Sequence, residues 1–135
     1  MREEKIAEVL SGAREVFLRC GFEGASVDAI AEEAKVSKAT LYVHSPSKDR
    51  LFLSVVQAEC DRLSAEISRP LASAHEPRAV LEELSRRMIG LVMDDDYIRL
   101  LRTCIGAVSV LPEAGEIFME AGPNRAARIV GRVLQ

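Results

Sequence analysis

Residues 26–48 read SVDAIAEEAKVSKATLYVHSPSK, and the caps and breakers in this stretch decide the fold. Ser26 is a good helix N-cap, and Asp28 sits in the positive first turn behind it. Val27, Ile30, Ala31 and Ala34 follow at helical spacing and make the inward face of a short helix. Val36 lies in the turn, where an apolar residue plugs the angle between two helices. Ser37 caps a second short helix with Leu41 facing in, and Pro46 blocks its continuation. Ser47 caps a third helix, with Asp49 in its first turn. No acidic residue occurs between Ala34 and Lys48, although the whole chain carries a formal charge of −3. A short polar-to-basic helix in an acidic protein points to a surface kept for something anionic and shaped like a groove.

Upstream, Ile6, Val9, Leu10, Ala13, Phe17 and Cys20 form one stripe of an amphipathic helix over Arg2 to Cys20. Gly21 is its expected left-handed stop, and Phe22 folds back on the last turn. Gly12, inside that helix, costs about 1 kcal/mol against Ala, which a close helix crossing would explain. Downstream, the helix capped by Ser47 should run to about Ser68, burying Leu51, Phe52, Val55, Val56, Cys60, Leu63 and Ile67. Pro70 to Pro77 reads as a polar connection, and Ala79 to Met93 as helix again. The run Asp94-Asp95-Asp96 caps a helix starting near Tyr97. Pro112-Glu113 marks another start, and Gly122-Pro123-Asn124 is expected to end that helix and open the last. No segment alternates with period two, so the class is all-α, with about eight helices.

Composition excludes several functions. The chain has 135 residues, 48% apolar and 29% charged, which fits a globular protein and not a disordered one. No apolar run approaches the ~20 residues that cross a bilayer, so no membrane partner is expected. The N-terminus mixes acids and bases and is not a secretory signal. Cys20, Cys60 and Cys104 are odd in number and widely spaced. They suggest free thiols in a reducing cytoplasm, with neither disulfide nor metal. His44 and His75 lie far apart, and no catalytic or cofactor-binding spacing is visible. Net acidity does not argue against a local anion-binding surface, because screening confines the attraction to ~8–10 Å.

A helix-turn-helix works by crossing two short helices steeply around an apolar plug, so that the second can enter the major groove. Ala31, Val36 and Leu41 are the plug candidates. They leave Lys38, Thr40, Tyr42 and His44 facing outward. Lys38 can reach a base edge or a phosphate, and Thr40 and Tyr42 can donate to phosphate oxygens or touch a thymine methyl. Ser47 and the start of the next helix offer free backbone N–H groups, with Lys48 beside them.

These residues resemble the DNA-binding domain of the tetracycline-repressor-like (TetR/AcrR) regulators. The pattern is Ile6, Leu10, Ala13, Phe17, Gly21-Phe22, Ser26-Val27 and Ile30-Ala31. It continues through Val36-Ser37-Lys38, Thr40-Leu41-Tyr42, His44 and Pro46-Ser47-Lys48 to Leu51-Phe52. The resemblance implies a three-helix helix-turn-helix domain over residues 1–47, joined by the long helix to a helical ligand-binding and dimerisation domain over 48–135. By resemblance, Ser37, Lys38, Thr40, Tyr42, His44 and Lys48 face double-stranded DNA, and a homodimer reads a palindromic operator as a ligand-responsive repressor. Two departures bear on rigidity: Lys35 stands where the family has a turn glycine, and Ser45 where it has an aromatic anchor. The effector implied is a small apolar or amphipathic molecule. Its candidate pocket residues are Met88, Leu91, Val92, Leu101, Cys104, Ile105, Val108 and Phe118, with Arg99 and Arg102 at the surface. The chain is also expected to lack the C-terminal dimerisation helices, which would leave Ile129, Val130, Val133 and Leu134 without partners. The competing reading is a helical interaction protein that kept the fold and lost DNA reading, as the uncharged Val43, the Ser45 replacement and the net acidity suggest.

Overall fold

A computed structural model describes residues 2–71 and 76–135, and all regular structure among them is helical. The helices are α1 (Arg2–Gly24), α2 (Val27–Ala34), α3 (Lys38–His44), α4 (Lys48–Leu71), α5 (Pro77–Val92), α6 (Asp95–Ala107), α7 (Pro112–Met119) and α8 (Arg125–Val133). A π-turn, Glu120–Asn124, joins α7 to α8.

The N-terminal helices form where the caps call for them. Ser26 Oγ accepts from Ala29 N at 3.0 Å, and Ser37 Oγ accepts from Thr40 N at 3.1 Å. Between them Lys35 adopts φ 58°, ψ 41°, the left-handed geometry usually left to glycine. Its N–H reaches back to Glu32 O at 3.2 Å, and that of Val36 to Ala31 O at 3.0 Å. The turn therefore keeps its shape, at a local cost of about 1–2 kcal/mol.

The crossing of α1 over α2 accounts for Gly12. A Cβ there would lie 2.7 Å from the Cα, N and Cβ of Ala34, closer than any real contact allows. At the other end of α1, Gly21 breaks the helix at φ 77°, ψ 175° rather than ending it, and a further turn carries the chain to Gly24. That break turns Phe22 back onto Phe17 and Phe52. Phe52 lies 5.0 Å from both rings, edge-on to Phe17. Each such pair adds about 0.5–1.5 kcal/mol beyond its burial. Phe52 thus ties the start of α4 to the aromatic end of α1. Ser45 itself is buried, and its hydroxyl donates to Ser47 O at 3.3 Å.

One core runs from the N-terminal helices into the later ones. Val9, Ala13 and Phe17 of α1 share a cluster with Leu51, Val56 and Cys60 of α4 and with Leu100, Cys104 and Ala107 of α6. Ile6, expected on the buried stripe, is instead 39% exposed, one turn short of this cluster. On the same junction, Arg14 Nε pairs with Glu59 at 2.9 Å, and Arg14 Nη2 pairs with Asp96 at 3.0 Å. This guanidinium links α1, α4 and α6.

Several boundaries differ from the sequence expectation. Helix α4 continues to Leu71 and α5 begins at Pro77, so the connection is shorter than Pro70–Pro77. Residues 72–75 of it, His75 included, lie outside the described residues. Asp94 alone is the cap of α6, accepting from Tyr97 N at 3.0 Å, while Asp95 and Asp96 occupy the first turn. Gly122-Pro123-Asn124 does not break the chain. Proline removes one N–H, and the helix absorbs the loss by widening for one turn. Arg125 N–H then bonds to Gly122 O, and the carbonyl of Ala121 takes its donor from Ser64 Oγ at 2.7 Å. Of the four residues expected to lack partners, two have them. Ile129 and Val130 pack with Val80, Leu84 and Ile67 in a second small core. Leu134 is exposed, and the side chain of Val133 lies outside the described set.

Candidate functional site

Helix α3 is held from behind by Leu41, which is 2% exposed, with Ala31 and Val36 packed beside it. Its outer surface is open. Ser37, Lys38, Ala39, Tyr42 and Val43 are exposed, while Thr40 and His44 are half-buried on its flanks. Ser37 Oγ also donates to Thr40 Oγ1 at 2.9 Å, so the cap and Thr40 form one hydroxyl pair at the start of the helix.

Lys38 is not free. Its Nζ lies 3.0 Å from Asp28 Oδ1 on α2, and both side chains are exposed. The hydrogen bond and charge of Asp28 hold the ammonium above the usual lysine value. An anion approaching α3 therefore competes with Asp28 for this lysine, in high dielectric where such pairs are weak.

Ser47 and Lys48 have roles inside the protein. Ser47 Oγ accepts from Arg50 N at 3.2 Å and caps α4. Lys48 Nζ donates to Phe22 O at 2.9 Å and Ala25 O at 3.2 Å, and lies 4.5 Å from the Phe22 ring centroid. Lys48 thus satisfies the open carbonyls after the Gly21 break and ties α1 to the start of α4. The sequence gives the lysine no such partner, because those carbonyls exist only once the chain turns at Gly21.

A second feature lies among the later helices. A cavity of about 230 Å³ opens between α4, α5, α6, α7 and α8. Of the residues expected to line it, Met88, Leu91 and Phe118 do. Cys104 lies in the main core with Leu101 against it, and Val92, Ile105 and Val108 are on the surface. None of these five lines this cavity. Those of them on α6 face the core shared with α1 or solvent, so only the first turn of α6, at Tyr97, reaches the cavity. The walls missed from sequence come mainly from α4 and α8: Cys60, Leu63, Ile67, Arg125 and Ile129. Periodicity marks Cys60, Leu63 and Ile67 as buried and Ile129 as apolar, but it cannot separate a cavity wall from a filled core.

The cavity is apolar with few polar groups. Burial pushes the Cys60 thiol up to about 11, and burial with the nearby Cys60 pushes Cys104 up to about 12. Both thiols stay protonated at neutral pH and behave as small apolar groups. Burial also raises the Tyr97 hydroxyl. Arg125 is the cationic group on the wall, and its Nη2 pairs with Asp61 at 3.2 Å. Arg99 and Arg102 are exposed and lie elsewhere. No helix among the described residues is long and apolar enough to cross a membrane.

Comparison with known proteins accounts for both halves. Residues 9–55 match the family model described as bacterial regulatory proteins, tetR family. Residues 79–135 match that of the AefR-like transcriptional repressor C-terminal domain. The expectation that the C-terminal helices are lacking is overturned by this second match, which spans α5 to α8. Among curated proteins, the chain is 32% identical over 107 residues to the transcriptional activator FasR of Mycolicibacterium smegmatis, covering 72% of this chain and 49% of FasR. It is 28% identical over 99 residues to the regulator YuxN of Bacillus subtilis, covering 73% of this chain and 34% of YuxN. The chain thus spans half or less of the length of these curated relatives. Among solved structures, it superposes on a TetR-type regulator from Mesorhizobium loti with a TM-score of 0.87 at 28% identity, covering 98% of this chain and 67% of the other. It superposes on the flavonoid-responsive regulator FrrA with a TM-score of 0.80 at 31% identity and the same two coverages. The two family matches together take in the helix-turn-helix and the later helices, and the chain belongs to the TetR family of bacterial regulatory proteins.

Proposed function

We propose that this chain is a sequence-specific DNA-binding transcriptional regulator whose second half senses a small ligand. The observation that carries the reading is α3. It is a helix fixed at the back by a buried leucine, with Lys38, Tyr42 and the Ser37–Thr40 pair on its free surface and no acidic residue of its own. Such a rod fits a major groove, where polar side chains meet phosphates and base edges. Ser37, Lys38, Thr40, Tyr42 and His44 are the contact set. Ser47 and Lys48 position the head from behind. One reading head makes few phosphate contacts, so a homodimer reading a palindrome with half-sites about 34 Å apart is the working form. Repression, released by ligand, is the mode proposed.

The proposed effector is a small apolar or amphipathic molecule bound in the cavity walled by Met88, Leu91, Phe118, Cys60 and Tyr97. FrrA is named for its response to a flavonoid, which is an effector of this apolar, aromatic class. For release, the ligand must bind better to the conformation that cannot span both half-sites, since equal affinity would shift nothing.

The test is DNA selection from a random library followed by gel shift against salt. Binding should be sequence-selective and should weaken steeply with salt. Lys38→Ala should weaken it on all sequences and lower the salt slope by about one. Equal binding to all duplexes would end the reading.

A further inference from the structure

We infer that Ala39 and Val43 form the base-reading edge of α3 and recognise C5-methyl groups, those of thymine, in the major groove. The inference rests on the DNA-binding reading above and goes beyond its contact set. At about 100° per residue, Ala39 and Val43 each point about 160° away from Leu41, on either side of the direction opposite the buried anchor. By the same count, Thr40 and Tyr42 lie about 100° from Leu41, and Lys38 and His44 about 60°. The exposures follow this geometry: Val43 is 78% exposed, Tyr42 47% and Leu41 2%, with Thr40 and His44 half-buried.

The crest of the helix is therefore apolar, and the hydrogen-bonding groups sit on its shoulders. A helix seated in the major groove turns its crest to the bases and its shoulders to the two phosphate walls. Neither Ala39 nor Val43 carries a side-chain donor or acceptor, so neither can read the polar edge of guanine, cytosine or adenine. The group they complement is the thymine methyl, the apolar feature of that groove. Exposure of Val43 is thus explained without loss of DNA reading. An uncharged side chain at the crest selects for methyl groups.

The experiment uses operators selected by the full chain, remade with deoxyuridine in place of each thymine in turn. Deoxyuridine keeps every hydrogen-bonding group and removes only the methyl. At one or two positions per half-site, binding should fall about fourfold, the worth of one buried methyl. Replacement in both halves of a palindrome should give about fifteenfold. Val43→Ser, at a site that is mostly solvent, should fold as stably as the parent and should lose the thymine preference at the position that Val43 reads while keeping the one that Ala39 reads. Equal binding of both duplexes by the unaltered chain overturns the inference and leaves the DNA-binding function standing. A thymine preference that Val43→Ser leaves unchanged at every position overturns it too. Failure to select any sequence overturns both.

Discussion

Lys35 holds a backbone geometry that its side chain disfavours. At φ 58° the cost of a Cβ is about 1–2 kcal/mol, and glycine would return part of it as unfolded-state entropy. Lys35→Gly is expected to stabilise the protein by about 0.5–1 kcal/mol in urea denaturation and to raise the midpoint temperature by about 2–4 °C. The same substitution should leave DNA selection unchanged, because Lys35 caps α2 and is not on α3. Lys48 is the opposite case, a residue whose charge suggests phosphate and whose contacts are two main-chain carbonyls.

At the scale of elements, α2 and α3 act as a pair linked across their outer surface. Asp28 has two effects: it favours the positive first turn of α2, and it holds Lys38 Nζ at 3.0 Å. Asp28→Asn keeps much of the shape and removes the competitor for Lys38. It should raise affinity for all duplexes by about threefold and steepen the salt dependence, with stability changing by less than about 0.5 kcal/mol. Unchanged affinity in a gel shift would mean that Lys38 does not reach phosphate. The α1–α2 crossing sets the angle at which this pair is presented, and it closes only because Gly12 has no side chain against Ala34.

At the scale of the whole molecule, the reading head and the cavity share one core. Arg14 joins them: its partners Glu59 and Asp96 are the immediate neighbours of the cavity residues Cys60 and Tyr97. Glu59 is 8% exposed, so Arg14→Met leaves a buried carboxylate with only Arg62 at 3.2 Å. The expected loss is about 2–3 kcal/mol in urea denaturation, and a double-mutant cycle with Asp96→Asn should show coupling. The thiols give a pH dependence. Cys60 and Cys104 ionise near 9 when unfolded, and in the fold are pushed up to about 11 and 12. Their contribution to stability is complete below pH 9 and is lost as pH rises from 9 toward 12, because the unfolded chain releases those protons first. Denaturation midpoints measured from pH 8 to 11 should fall, and Cys60→Ala should flatten part of that fall. At pH 8, Cys20, exposed on α1, should be alkylated long before the other two.

Local chemistry alone was enough to read the helices and the head: Ser26, Ser37, Ser47 and Asp94 each cap where a serine or aspartate precedes an apolar period, and Leu41 is the inward residue of α3. Caps and periods act over a few residues, so a sequence carries them completely. What the tertiary structure decided depends on where distant segments meet. It turned Lys48 toward the carbonyls of Phe22 and Ala25, and paired Lys38 with Asp28. It drew walls of the cavity from α4 and α8 as well as from α5 and α7, and packed Phe52 of α4 against Phe17 and Phe22. Each of these is a choice between partners that are equally suitable by residue type, and only the packing of the helices makes one of them near.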